Sequence, residues 1–472
     1  MKRKMMSLLL ALAVISGNSV YAKVIDIMSP NGAIKVSVDI KDRIYYSVSY
    51  DNNQLLKDCY LNLQLQNETL GNNPRLRSTK RGTIDESVKR EIPFKNAIVK
   101  NHCNTLRMNF SGNYAVEFRV FDNGMAYRFV TDKKEDNIVM GEDFAINFPA
   151  NYKAHLSQPD GFKTSYEYPY THIDTENYAA TDRMSYLPVL IETDKAYKIL
   201  ISEADLFDYP CMFLKGTGKN GMQSLFPKAP LAFGEDGDHS LKITKEADYI
   251  AKTTGKRSFP WRMMVISKED KEIIENEMVY NLSTPCVLED YSWIKPGQVI
   301  REVTLTTAGG LACVDFAAEN GIEYVEFDAG WYGDEYNPES DASTITVDPK
   351  RSKGPLDLHK VIEYTNQKGI GIILYVNMKA LSKQLDQILP LYKQWGVKGL
   401  KYGFVDVGDQ YSTAWLHQAV RKAAKYELMV DIHDEYRPTG YSRTYPNLVT
   451  QEGIRGDEES PNLNQSVYTL YN

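Results

Sequence analysis

The sequence predicts an antiparallel β-sandwich followed by a parallel (β/α) barrel, and three observations carry that expectation. From Lys23 to about Leu282, apolar and polar residues alternate in short runs broken by Asn, Asp and Gly, the period of strands that bury one face. After Thr284-Pro285 the pattern becomes strand, loop and amphipathic helix in repetition, which requires a parallel sheet covered by helices. No Gly-rich phosphate loop opens these units, so a barrel is favoured over a doubly wound sheet.

The first 22 residues are expected to be a secretory signal peptide. Lys2, Arg3 and Lys4 precede an apolar run from Met5 to Ile15, and Val20-Tyr21-Ala22 offers a small-residue cleavage site. No Cys follows it, so a lipid anchor there is not expected, and the predicted location is periplasmic or secreted. No later stretch approaches the roughly 20 apolar residues of a membrane helix.

The sandwich domain is assigned to residues 23–284. Its clearest strands are AIKVSVDI, RIYYSVSY, YAVEFRVFDNGMAYRFV and YKILISEADL, with Asn-Gly and Asp-Gly turn signals. The barrel domain is assigned to residues 285–472. Its strands are expected at Val299–Leu305, Tyr324–Phe327, Ile370–Val376, Gly399–Val405, Leu428–Ile432 and Leu448–Thr450. Between them GLACVDFAAENG, LDLHKVIEYTNQKG, KQLDQILPLYKQWG and TAWLHQAVRKAAKY carry helical periodicity. Six strands are fewer than a complete barrel of roughly 250 residues uses, so the barrel is expected to be incomplete at its carboxyl end.

With 472 residues the chain is long enough for at least two cores. A net charge of -7 gives no electrostatic footprint for nucleic acid or an anionic membrane. The five Cys lie far apart without zinc or redox spacing, which leaves them as mostly structural thiols. The 32 Tyr exceed what a generic core needs; surplus Tyr suits sugar binding, and Tyr-rich β-proteins show it without a ligand.

A barrel places its chemistry at the carboxyl ends of its strands. Those positions hold Asp328, Asn377, Gly403, Asp406, Asp434, Glu435, Glu452 and Glu458. Asp434, Glu435, Glu452, Asp457, Glu458 and Glu459 are too crowded to ionise independently, so mutual repulsion or a bound cation is expected to shift at least one. The alternative is a solvated acidic loop. Asp328 with Trp331 is expected to bind sugar, hydroxyls on the carboxylate and a ring on the indole; the alternative is a structural strand-end Asp. His433 and Glu435 are expected to touch substrate hydroxyls, although a lone His is more often structural. Paired carboxylates are what glycoside hydrolysis uses, one as acid and one as base or nucleophile.

WIKPGQV at Trp293, DAGWYG at Asp328, GLKYGF at Gly399, SEADLFDYP at Ser202 and above all HDEYRPTGYSRTYPNLVTQEGIRGDEE resemble glycoside hydrolase family 97, bacterial α-glucosidases and α-galactosidases. The resemblance implies an amino-terminal β-super-sandwich, a catalytic α/β TIM-type (β/α)8 barrel and a calcium ion near the active site. It implies that Glu458 is the general acid. It implies Glu167, Asp434 and Glu452 as calcium ligands, with Asp434 doubling as base. Oxygen donors of that kind suit a hard cation.

Two departures are visible. Retaining members carry a nucleophilic Asp at the end of strand four, where this chain has Gly403. Inverting members place a base Glu after strand three, where this chain has Asn377. Gly403 leaves space for a water, so inversion is expected, with α-glucosidase ahead of α-galactosidase. The competing expectation is a non-catalytic carbohydrate-binding relic or an inactive fragment.

Overall fold

The computed structural model describes residues 23–235, 242–433 and 436–452. Residues 23–267 build two large antiparallel sheets. The first runs in the order Lys23–Met28, Ile34–Ile40, Ile44–Tyr50, Asn53–Leu65, Asn137–Asn147, Gly221–Leu225 and Phe213–Gly216. The second runs Tyr170–Asp174, Lys153–Ser157, Tyr186–Glu192, Lys198–Ala204, Trp261–Ser267, Gly124–Asp132, Tyr114–Phe121, Ile98–Phe110 and Leu76–Lys89. Alternation decides which side chains meet. In IKVSVDI the buried positions are Ile34, Val36, Val38 and Ile40, and the residues between them are half-exposed. Their faces close over one core in which Tyr46 packs 5.7 Å from Tyr127, itself 5.7 Å from Phe118.

The second sheet is buried on its other face as well. Phe121, Ala126, Leu200, Trp261 and Val265 pack there against Met278 and Leu282 of the short helix Met278–Leu282, which leads into the barrel. The surplus Tyr is thereby explained in large part by packing. Tyr46, Tyr127, Tyr178, Tyr209, Tyr332, Tyr392 and Tyr402 are all fully buried.

Among the described residues six parallel strands follow in sequence order: Val299–Glu302, Tyr324–Phe327, Gly371–Asn377, Gly399–Gly403, Met429–Ile432 and Leu448–Gln451. They form a curled half-barrel, an incomplete TIM-type arrangement. Helices Thr307–Asn320, Leu358–Lys368, Met378–Trp395 and Gln410–Ala424 connect the first five. Each starts at a side-chain cap: Thr306 accepts from Gly309 N, Asp357 from Lys360 N, Asn377 from Lys379 N and Asp409 from Ser412 N. Val325, Phe327, Leu374, Val376, Leu400, Tyr402, Val430 and Ile432 pack under these helices. The opposite face carries Tyr324, Ile373 and Met429, which pack with Ile294.

Two strands end earlier than predicted. The first stops at Glu302 because its carboxylate accepts from Thr304 N and Leu305 N, folding the chain into a turn in which Leu305 takes φ +53°. The fourth stops at Gly403 because Phe404 takes φ +50°. All five Cys are free, and burial pushes the Cys59 thiol up to about 12, as expected of structural thiols. No helix among the described residues is long and apolar enough to cross a membrane.

Candidate active site

The carboxyl ends of the six strands gather the expected side chains on one rim. Asp328 follows strand two, Asn377 ends strand three, Gly403 ends strand four, His433 follows strand five and Glu452 follows strand six. His433 Nε2 lies 3.8 Å from Glu452 Oε2, and its ring packs 5.0 Å from Phe404 and 6.3 Å from Tyr375. Asp328 is half-buried and paired with Arg301 at 2.9 Å. Asp406, three residues past Gly403, is buried and faces Lys163 of the sandwich at 3.5 Å.

Lys163 belongs to the sandwich loop that also carries Glu167. There Tyr166, at φ +56°, stacks on Tyr186 with ring centres 4.1 Å apart and planes 5° apart. Both domains therefore contribute to this rim. Asp434, Glu435 and Glu458 lie outside the described residues.

Beneath the rim, on the face away from the helices, sits a charged layer. Burial raises Glu326 to about 7 and Asp431 to about 6. Burial by itself would lower Lys401, but Glu326 and Asp431 facing it lift it above its ordinary value. Barrel interiors are usually filled with branched apolar side chains, so this layer departs from the pattern. Sequence reasoning missed all three members of this layer, Glu326, Lys401 and Asp431. The available signal was polar residues inside the strand runs GLKYG and MVDI, at positions where a strand buried on both faces is apolar throughout.

One expected binding residue is corrected. Trp331 is fully buried: its indole N–H donates to Tyr375 O at 2.8 Å, and its ring packs among Tyr332, Tyr392 and Trp395. It supports the floor of the rim and offers no face to a sugar. Asn377 is likewise structural; it is buried, caps the next helix and donates its backbone N–H to Tyr332 at 3.0 Å.

The space assigned to a water beside Gly403 is also filled. A Cβ built on Gly403 would lie 2.1 Å from the Tyr375 hydroxyl oxygen, so the phenol occupies the room from which inversion was argued. Among the described residues no three acidic, His or Cys side chains converge as a metal-binding group. Of the three expected calcium ligands, Glu167 and Glu452 lie among the described residues and Asp434 lies outside them.

Residues 27–285 match the family described as Glycosyl-hydrolase 97 N-terminal, and residues 294–454 match Glycoside hydrolase 97. A protein of Bacteroides thetaiotaomicron named "Retaining alpha-galactosidase" is 33% identical, with 94% of this chain and 70% of that protein covered. A "Probable retaining alpha-galactosidase" of Streptomyces bingchenggensis is 28% identical, with 90% of this chain and 63% of that protein covered. The solved structure of a family 97 enzyme in complex with acarbose from Pseudoalteromonas sp. strain K8 superposes with a TM-score of 0.79 at 21% identity, covering 92% of this chain and 70% of that one, a likeness of fold. The two curated relatives retain configuration and act on galactosides by name. The expectation of an inverting enzyme is therefore overturned, in agreement with the filled space beside Gly403.

Proposed function

Since the chain belongs to glycoside hydrolase family 97, we propose that it hydrolyses terminal α-galactosides with retention of anomeric configuration. The observation that carries this reading is the 33% identity to a retaining α-galactosidase across 94% of the chain, both domains included. The geometry supports it by bringing acidic side chains from several strands to one end of the half-barrel.

Retention needs an acid/base and a nucleophile with carboxyl groups roughly 5–5.5 Å apart. The acid/base role falls to Glu458, on the strength of the family text RGDEE. Gly403 has no side chain to attack with, so the nucleophile falls to one of three carboxylates: Asp328 or Asp406 at the strand ends, or Asp434, which the sequence sets directly after His433. Two of them stand in ion pairs: Asp328 would attack from its pair with Arg301, Asp406 from its pair with Lys163. Substrate hydroxyls would meet His433, Glu435 and Asp328.

Calcium would be held by Glu167, Asp434 and Glu452, joining sandwich to barrel and relieving repulsion among the acids. The ion's chemistry there is charge neutralisation and orientation. The amino-terminal residues 1–22 support export to the periplasm or the medium.

The test is hydrolysis of p-nitrophenyl α-galactoside and α-glucoside, followed by trapping with a 2-fluoro galactosyl inhibitor and peptide mapping. The proposal expects a higher kcat/KM on the galactoside and a label on one of the three named carboxylates. Preference for the glucoside, or an unlabelled but active protein, would sink it.

A further inference from the structure

The loop after strand five is tied into the sandwich by a buried cation, Arg437. Arg437 Nη2 donates to Glu203, from the sandwich strand Lys198–Ala204, and to Met212 O at 2.9 Å. Glu203 is fully buried and is also held by Arg262, whose guanidinium grips Glu142 at 2.6 and 2.7 Å. Four buried charges thus run in a chain, Glu142, Arg262, Glu203, Arg437, from the middle of the sandwich to the rim.

The chain is a costly way to gain stability. Buried ion pairs usually only break even against apolar packing of the same volume, and here Arg437 Nε and Nη1 are buried and find no hydrogen-bond partner among the described residues. Where such groups persist, their best-attested use is to fix register. The register fixed here is between two loops. The Arg437 guanidinium lies 4.7 Å from the centre of the Tyr186 ring, and Tyr186 stacks on Tyr166, the residue before Glu167. The same segment is fixed at its far end by Asp205 N donating to Thr439 O at 2.8 Å.

We infer that Arg437 is a positioning residue that aligns the sandwich loop 160–168 with the barrel segment 436–440, so that side chains from both domains meet in one site. The inference rests on the strand-end rim being that site. Arginine suits the position because one guanidinium donates to both Glu203 and Met212 O while lying 4.7 Å from the centre of the Tyr186 ring, a set of contacts that a compact ammonium matches less well.

The experiment compares the wild-type chain with Arg437→Met, Arg437→Lys and Tyr186→Leu. Melting temperature, amide hydrogen exchange over 160–168 and p-nitrophenyl α-galactoside kinetics are measured on each. The expected result is faster exchange at 160–168 in all three folded variants, with kcat lowered up to about 100-fold in Arg437→Met and KM changed by less than about threefold. Arg437→Lys should recover melting temperature while leaving the loop loose. Unchanged exchange and kcat in the folded variants, with only a lower melting temperature, would overturn the inference. Tyr186→Leu retains all four charges, so it decides the matter if Arg437→Met does not fold. If the wild type hydrolyses no galactoside, the functional reading fails, and the exchange data still decide whether Arg437 couples the two loops.

Discussion

Gly403 and Tyr375 share one space at the rim, because a methyl group on residue 403 would sit 2.1 Å from the Tyr375 hydroxyl. The phenol enters from strand three where a side chain of strand four would otherwise project. Gly403→Ala is expected to destabilise the protein by about 1–3 kcal/mol through overpacking. Tyr375→Ala should recover much of that loss in the double variant, because the two changes act on one volume. Thermal unfolding of the four-protein cycle measures the coupling; additive losses would show that the two residues do not compete.

Glu203 binds two buried guanidiniums, Arg262 and Arg437. Glu203→Gln leaves both partly unpaired, and removal of one partner of a buried ion pair costs about 3–5 kcal/mol. Denaturant titration should show a loss of that size with little change in slope. A loss below about 1 kcal/mol, the level of an exposed pair, would mean that the network contributes no more than surface charges do.

Glu326 retains its proton up to about pH 7, because burial opposes its charge. The folded state therefore binds a proton that the unfolded chain releases near the ordinary carboxylate value. The resulting stability is complete below about pH 4.3 and is lost as pH rises through about 7. His417 acts in the opposite direction, since burial lowers it to about 3 and folding then loses stability as pH falls below about 6.5. The prediction is accordingly a difference: Glu326→Gln should gain stability relative to wild type as pH moves from 5 to 8. Parallel stability curves for the two proteins would contradict it.

Trp331 supports the rim from below. Trp331→Ala is expected to cost about 3–5 kcal/mol as a buried aromatic lost from the core. In the milder Trp331→Phe, KM for an aryl galactoside should stay within about twofold of wild type. A large rise in KM without loss of stability would restore the indole as a sugar platform.

Much of the fold was legible in the sequence. Alternation in IKVSVDI and YAVEFRVF announced strands buried on one face, and the six barrel strands lie where their apolar runs stand. Their ends were less legible. Glu302 and Phe404 terminate strands through a side-chain turn and a left-handed backbone, neither of which periodicity carries. The site was half legible. Strand-end positions Asp328, His433 and Glu452 follow from the fold class, but whether Trp331 faces a sugar or the core depends on which neighbours fill the space around it. The same holds for Gly403: a missing side chain leaves a void only if nothing across the sheet fills it, and Tyr375 does. Arg437 was not legible at all, since its partner Glu203 stands far away in the chain and only tertiary packing joins them.

The central claim is a retaining α-galactosidase whose acid/base is Glu458. The most direct test is proton NMR of p-nitrophenyl α-galactoside hydrolysis by the chain with calcium, beside Glu458→Gln. α-Galactose should appear first, mutarotating later to the β-anomer, and the variant should lose the activity. First appearance of β-galactose, or full activity in Glu458→Gln, would contradict that claim.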